Sequence, residues 1–231
     1  MPVRFLGGVS SATSTTTLGE FGALDPTKYH TYFNDFDTYT AADWTITTTE
    51  DGSSDATEAL TDADGGVLLI TNDNGDNDRD FFNKKGESFA FNVGKQTWFK
   101  SRFKVSNATQ SDFVMGLQQT DNTPLVASNG VYFQKDDGDT NLDFRIQTGS
   151  TVSSSAIATT VVDDTYITVG FHFSGATWGS VVKYFVNDVH SGTLNVVAVP
   201  STELTVSFGI QNGTTSARSM SLDYIFVAQE R

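Results

Sequence analysis

The chain has no cysteine, which removes disulfides, thiol nucleophiles and cysteine-based zinc sites together. Positive charge is scarce as well. Fourteen Lys and Arg stand against 28 Asp and Glu, a formal charge of −14. So few cations cannot neutralise a phosphate backbone, so nucleic acid is not an expected partner, and neither is an anionic membrane. The acidic balance suits solubility at high concentration. No stretch approaches the ~20 apolar residues of a membrane span. The start, Met1-Pro2-Val3-Arg4-Phe5-Leu6-Gly7-Gly8, lacks the apolar core of a secretion signal. The expectation is a soluble protein made in a cytoplasm.

Helical periodicity is missing over any three turns, and only Ala56-Thr57-Glu58-Ala59-Leu60 reads as a single helical turn. What the chain has instead is alternation. Phe99, Ser101, Phe103 and Val105 alternate with Trp98, Lys100, Arg102 and Lys104. Phe113, Met115 and Leu117 repeat the pattern, as do Leu142, Phe144 and Ile146. Ile167, Val169, Phe171 and Phe173 follow, then Leu204, Val206, Phe208 and Ile210. Period two with one polar phase predicts antiparallel sheets with a single buried side. Val67-Leu68-Leu69-Ile70 is a short apolar run bounded by turn residues, hence a strand. Asp136-Asp137-Gly138-Asp139, Asn187-Asp188 and Gln211-Asn212-Gly213 supply turns. Roughly a dozen strands without helices predict an all-β, two-sheet antiparallel jelly-roll sandwich.

The beginning differs from the rest. Ser10-Ser11-Ala12-Thr13-Ser14-Thr15-Thr16-Thr17 has nothing to bury, while Phe5, Leu6, Leu18, Phe21 and Leu24 flank it. Residues 1–30 are therefore expected to form an extended arm that docks through those apolar side chains, with the sandwich spanning 31–231.

Several segments in order carry a resemblance. They are Phe33-Asn34-Asp35-Phe36-Asp37 with Trp44, Gln96 to Val105, and Asp112-Phe113-Val114-Met115-Gly116-Leu117. Val169-Gly170-Phe171, Tyr184-Phe185-Val186-Asn187-Asp188 and Leu222-Asp223-Tyr224-Ile225 complete the set. From Tyr32 to Arg231 the chain resembles the concanavalin A-like lectin/glucanase superfamily in its laminin-G-like and phage-borne forms. Glucanases of that superfamily place two catalytic carboxylates on one strand as Glu-x-Asp-x-x-Glu. This chain has no such strand, nor a Gly-x-Ser-x-Gly elbow, and His30, His172 and His190 lie far apart. The expectation is a protein that is not an enzyme.

With the Gly/Ser/Thr arm, the resemblance implies a virion structural protein of a tailed bacteriophage, a capsid decoration protein on the virion surface. Its expected partners are the major capsid protein or sister subunits, with a trimer as the expected oligomer. The alternative is a carbohydrate-binding lectin-like module of a tail adhesin or surface protein, with a cell-surface glycan as ligand. Trp98, Tyr132 and Trp178, on the polar phase or near turns, are the candidate sugar-stacking residues. Asp76, Asp78, Asp80 and Glu87 mimic the oxygen-ligand spacing of a calcium loop, although Phe81 stands where such a loop needs glycine. Calcium is accordingly the one candidate cofactor, set against a plain solvated loop.

Overall fold

A computed structural model describes residues 26–61, 63, 65–149, 151–176, 180–196 and 198–231. These residues form two antiparallel sheets, the sandwich expected from the alternation. The strands are β1 (Tyr29–Asn34), β2 (Trp44–Thr49), β3 (Thr57–Thr61), β4 (Val67–Thr71), β5 (Arg79–Lys84), β6 (Thr97–Val105), β7 (Ser111–Gln118), β8 (Gly130–Lys135), β9 (Asn141–Thr148), β10 (Thr151–Thr160), β11 (Ile167–Phe173), β12 (Ser180–Val186), β13 (Val189–Val196), β14 (Thr205–Asn212) and β15 (Ser219–Glu230).

One sheet has seven strands in the order β10-β9-β8-β7-β14-β5-β2. The other has eight: β13-β12-β11-β6-β15-β4-β3, with β1 also on β15. β15 is long enough to hold two neighbours end to end on one side. Its Ser219–Leu222 pairs with β4 and its Ile225–Glu230 with β1, while β6 runs along the other side.

β6 follows its sequence pattern, alternating buried and half-buried from Thr97 to Val105. The inward phases of the two sheets meet in one aromatic core. Phe103 of β6 meets Phe113 of β7 edge-on at 5.3 Å. Phe144 of β9 reaches across to Tyr184 at 5.1 Å and Phe171 at 5.6 Å. Within the seven-stranded sheet, Phe82 stacks on Phe208 at 4.9 Å and 11°, and Trp44 closes on Phe208 edge-on at 5.0 Å. Such offset and edge contacts add about 0.5–1.5 kcal/mol per pair to the burial of the rings themselves.

Two local expectations are corrected. The segment expected to form a helical turn is β3, because Glu58, Ala59 and Leu60 pair in register with Ile70, Leu69 and Leu68. The ladder to a buried apolar strand overrides the local Ala/Leu/Glu propensity. β7 and β8 do not have one solvated side, since every residue of both strands is buried. Tyr29 and His30, counted with the arm by composition, are the first residues of β1, opposite Glu230 and Gln229.

Candidate functional site

The outward face of the eight-stranded sheet carries a groove of about 560 Å³. Register builds it. Phe226, Lys100, Gly170 and Phe185 form one row across β15, β6, β11 and β12. Ala228, Trp98, His172 and Lys183 form the next. Small Gly170 and Ala228 thus stand among large neighbours, and the trough runs over them. A Cβ on Gly170 would lie 2.8 Å from the carbonyl oxygen of Phe99, so no larger residue fits that floor without a backbone shift.

The walls are aromatic. The Trp98 indole stacks on the His172 imidazole at 5.2 Å and 15°, and Tyr29 meets Trp98 edge-on at 6.0 Å. Phe185 and Phe226 close the sides. The polar end comes from the β12–β13 hairpin, where Asn187 and Asp188 take positive φ values of 49° and 64°, the geometry of a two-residue turn. That turn brings Asp188 Oδ1 to 2.6 Å from Lys100 Nζ. The bond to Asp188 raises the Lys100 pKa despite partial burial. Further along β6, Arg102 pairs with Asp223 and lies 4.1 Å from the Tyr166 ring centroid.

His172 is held from behind. Its Nε2 donates to Gln96 Oε1 at 2.8 Å, while the Gln96 backbone N–H donates to Glu230 Oε2 at 2.8 Å. Burial, and then the Lys183 charge, lower the His172 pKa, so the ring facing Trp98 is neutral at neutral pH.

The other candidate residues fall elsewhere. Tyr132 lies on the opposite sheet, wholly buried, its hydroxyl donating to Gln147 Oε1 at 2.6 Å. It presents no face for a sugar to stack on. Trp178 and the arm residues Phe5, Leu6, Leu18, Phe21 and Leu24 lie outside the described residues.

The calcium set is not brought together. Asp78 is buried and accepts from the backbone N–H of Asp51 at 2.5 Å and of Gly75 at 3.0 Å. Asp80 accepts from Thr48 Oγ1 at 2.6 Å, and Glu87 from the backbone N–H of Thr120 at 2.6 Å. Asp76 is exposed. Among the described residues no three His, Asp or Glu side chains converge on a metal position. The loop uses its carboxylates to satisfy backbone N–H groups, as turn-rich segments do.

Compared by sequence, the chain matches no family model and no curated protein. Its fold does match solved structures. The endo-1,3-beta-glucanase from Streptomyces sioyaensis aligns over 90% of this chain and 99% of its own, with a TM-score of 0.60 at 14% identity. The Emp47p carbohydrate recognition domain aligns over 89% and 98%, with a TM-score of 0.59 at 13% identity. Peanut lectin aligns over 87% and 97%, at 0.58 and 9%. The fold is concanavalin A-like. Lectins and glucanases share it, so the fold alone assigns no chemistry.

Sequence reasoning found Trp98 and missed its partners. Tyr29 falls within the expected arm of residues 1–30, and His172 enters only as one of three histidines far apart in the sequence. Tyr29, Trp98, His172 and Phe226 come together only through strand register. The usable signal was the phase of β6, which puts Trp98 and Lys100 on the side that a half-buried strand turns to solvent.

Proposed function

We propose that this chain is a non-catalytic, carbohydrate-binding lectin-like module that takes a saccharide in the groove of the eight-stranded sheet. The observation that carries this reading is the Trp98–His172 stack beside the Lys100–Asp188 pair. Sugars present an apolar C–H face and a ring of hydroxyls, and the groove offers aromatic surface next to charged hydrogen-bonding groups. Among the described residues Asp188 is the one carboxylate lining the groove, whereas glycoside hydrolysis of the usual kind takes two. The likeness to a carbohydrate recognition domain and to peanut lectin supports this reading over capsid decoration. A capsid partner, a trimer and a virion location are what the resemblance and the arm of residues 1–30 imply, and residues 1–25 of that arm lie outside the described residues.

A glycan array followed by calorimetric titration of its hits tests the proposal. Trp98→Ala is expected to weaken binding roughly tenfold or more, equivalent to about 1.4 kcal/mol, and Tyr132→Phe to leave it unchanged. Binding that survives Trp98→Ala undiminished would remove the groove as the site.

A further inference from the structure

The floor of the groove belongs to a longer row. Residues directly opposite on adjacent strands turn their side chains to the same side of a sheet. The β1–β15 register sets Phe33 opposite Phe226, and the β12–β13 register sets His190 opposite Phe185. Phe33, Phe226, Lys100, Gly170, Phe185 and His190 therefore form one line across six strands of the outward face. Strands lie about 4.8 Å apart, so the line is ~24 Å long, and Phe226 and Phe185 stand ~14 Å from each other within it.

Aromatic surface is concentrated towards the two ends of this line. Phe33 and Phe226 make one platform. Phe185 and His190 make the other, their ring centroids 5.6 Å apart. Between the platforms lie small Gly170 and the Lys100–Asp188 pair at 2.6 Å. Both ends are open to solvent among the described residues. Phe33 is 59% exposed at one end, and Val189, next to His190, is 67% exposed at the other.

Folding makes little use of Phe33. Among the described residues it is the one Phe, Trp or Tyr that is exposed; every other is buried or half-buried. The tyrosines of the same strand are engaged, Tyr32 edge-on to Trp44 at 6.5 Å and Tyr29 edge-on to Trp98 at 6.0 Å. A single apolar side chain in solvent is ordinary on a protein surface. What sets Phe33 apart is its position, which carries the wall that Phe226 gives the groove out to the edge strand.

We propose that the ligand of the groove is a linear, uncharged oligosaccharide held by its internal units across the strands, with Phe33 as an outlying subsite. This rests on the saccharide reading of the groove and adds length, direction and charge to it. Length follows from spacing, because one sugar ring cannot reach two platforms ~14 Å apart and a chain of several can. Its middle units then lie over Gly170, beside the Trp98–His172 stack. Direction follows from the open ends, since a chain that runs out over both edges needs no free terminus. Charge follows from Lys100, whose ammonium already has Asp188. A second copy of this chain is disfavoured on the same face, because two bodies of formal charge −14 repel and a neutral sugar meets no such opposition.

The test is calorimetric titration of the full chain with linear homo-oligomers, monosaccharide to hexasaccharide, of the sugar that binds best on the glycan array. Affinity is expected to climb with length and to level off only towards the longest members. Phe33→Ala is expected to weaken the hexasaccharide about fivefold and the disaccharide by less than about twofold. Phe33→Trp is expected to restore the loss, and an unchanged melting temperature is the folding control for both variants. Equal affinity for disaccharide and hexasaccharide overturns the subsite, and so does a hexasaccharide that binds Phe33→Ala as tightly as the parent. In either case the groove itself still stands or falls on Trp98→Ala. A best array hit that carries a carboxylate or sulfate overturns the uncharged class. Sedimentation of the protein alone checks the other occupant: a dimer that Phe33→Ala dissolves and the hexasaccharide does not would overturn the proposal. Absence of binding by every sugar removes the groove and its extension together.

Discussion

The indole of Trp98 lies nearly parallel to the imidazole of His172 on the neighbouring strand, their centroids 5.2 Å apart. The two residues are directly opposite in the β6–β11 register. Behind them Glu230 fixes Gln96, and Gln96 fixes the His172 ring. A half-buried aromatic surface is thereby held flat by a relay of hydrogen bonds, which lowers the ordering cost of anything that stacks on it.

That stack depends on pH. Burial, then Lys183, lower the His172 pKa below its ordinary 6.5. The folded state therefore holds a proton less readily than the unfolded chain. The stability this contributes is present above pH 6.5 and is lost as pH falls through the lowered value. His172→Phe keeps a flat ring and removes the titration. Melting temperatures followed as pH is lowered from about a unit above the ordinary value should fall more steeply for the parent than for the variant.

Asp80 runs the other way. Burial pushes its carboxyl up to about 6, with Glu58 and Glu50 adding to the rise against the Thr48 hydrogen bond. Its folded pKa lies above the ordinary 3.8, so its contribution is complete below that value and lost as pH rises through about 6. A shift of this size corresponds to about 3 kcal/mol. Asp80→Asn should unfold at higher urea than the parent at pH 8, by an amount of that order, and the gap should close towards pH 4. An equal gap at both pH values would show that Asp80 is not the titrating group.

Asp78 is a strut for two backbone N–H groups. Asp78→Ala leaves those of Asp51 and Gly75 without their acceptor and should cost about 2 kcal/mol in denaturant unfolding. Calcium should neither raise the melting temperature nor release heat, and EGTA should change nothing. A calcium-dependent melting shift that Asp78→Ala abolishes would restore the metal reading.

Phe208 anchors the aromatic cluster of the seven-stranded sheet, in contact with Phe82, Trp44 and Phe36. Phe208→Ala should destabilise by about 3–5 kcal/mol, through lost burial and the cavity left among three rings. Phe33→Ala, at a side chain 59% exposed, should change stability by no more than about 0.5 kcal/mol.

Alternation made the sandwich legible, because one side of β6 and one side of β11 face the core and period two records that directly. It misled at β7 and β8, whose second side is partly covered by the connection between them, where Leu125 packs on Val114 and Tyr132. Lys135 shows the same limit. It falls on the core phase two residues after Phe133, yet it is buried because its ammonium donates to the carbonyls of Thr109 and Ser111. The groove was legible in a single residue, Trp98. Tyr29 and Phe226 are nearly 200 residues apart, and no local pattern encodes which strand will lie beside which. Asp76, Asp78 and Asp80 had the right spacing for a metal loop, but spacing does not tell whether carboxylates turn outward together or inward to the backbone.

The order in which strands enter the sheets bears on how this chain is made. β14 stands between β7 and β5, and β15 between β6 and β4, so each sheet has a late strand near its middle. Until residues 205–230 have been synthesised, both sheets are split: β7, β5, β6 and β4 each bare an inner edge, and β1 has no strand to pair with. Pairing that spans such sequence distances is slow, and unpaired edges invite association with other chains. Folding of this sandwich is thus a closing event that waits for β14 and β15, and a chain shortened before them would have both sheets in halves and no continuous core to hold them.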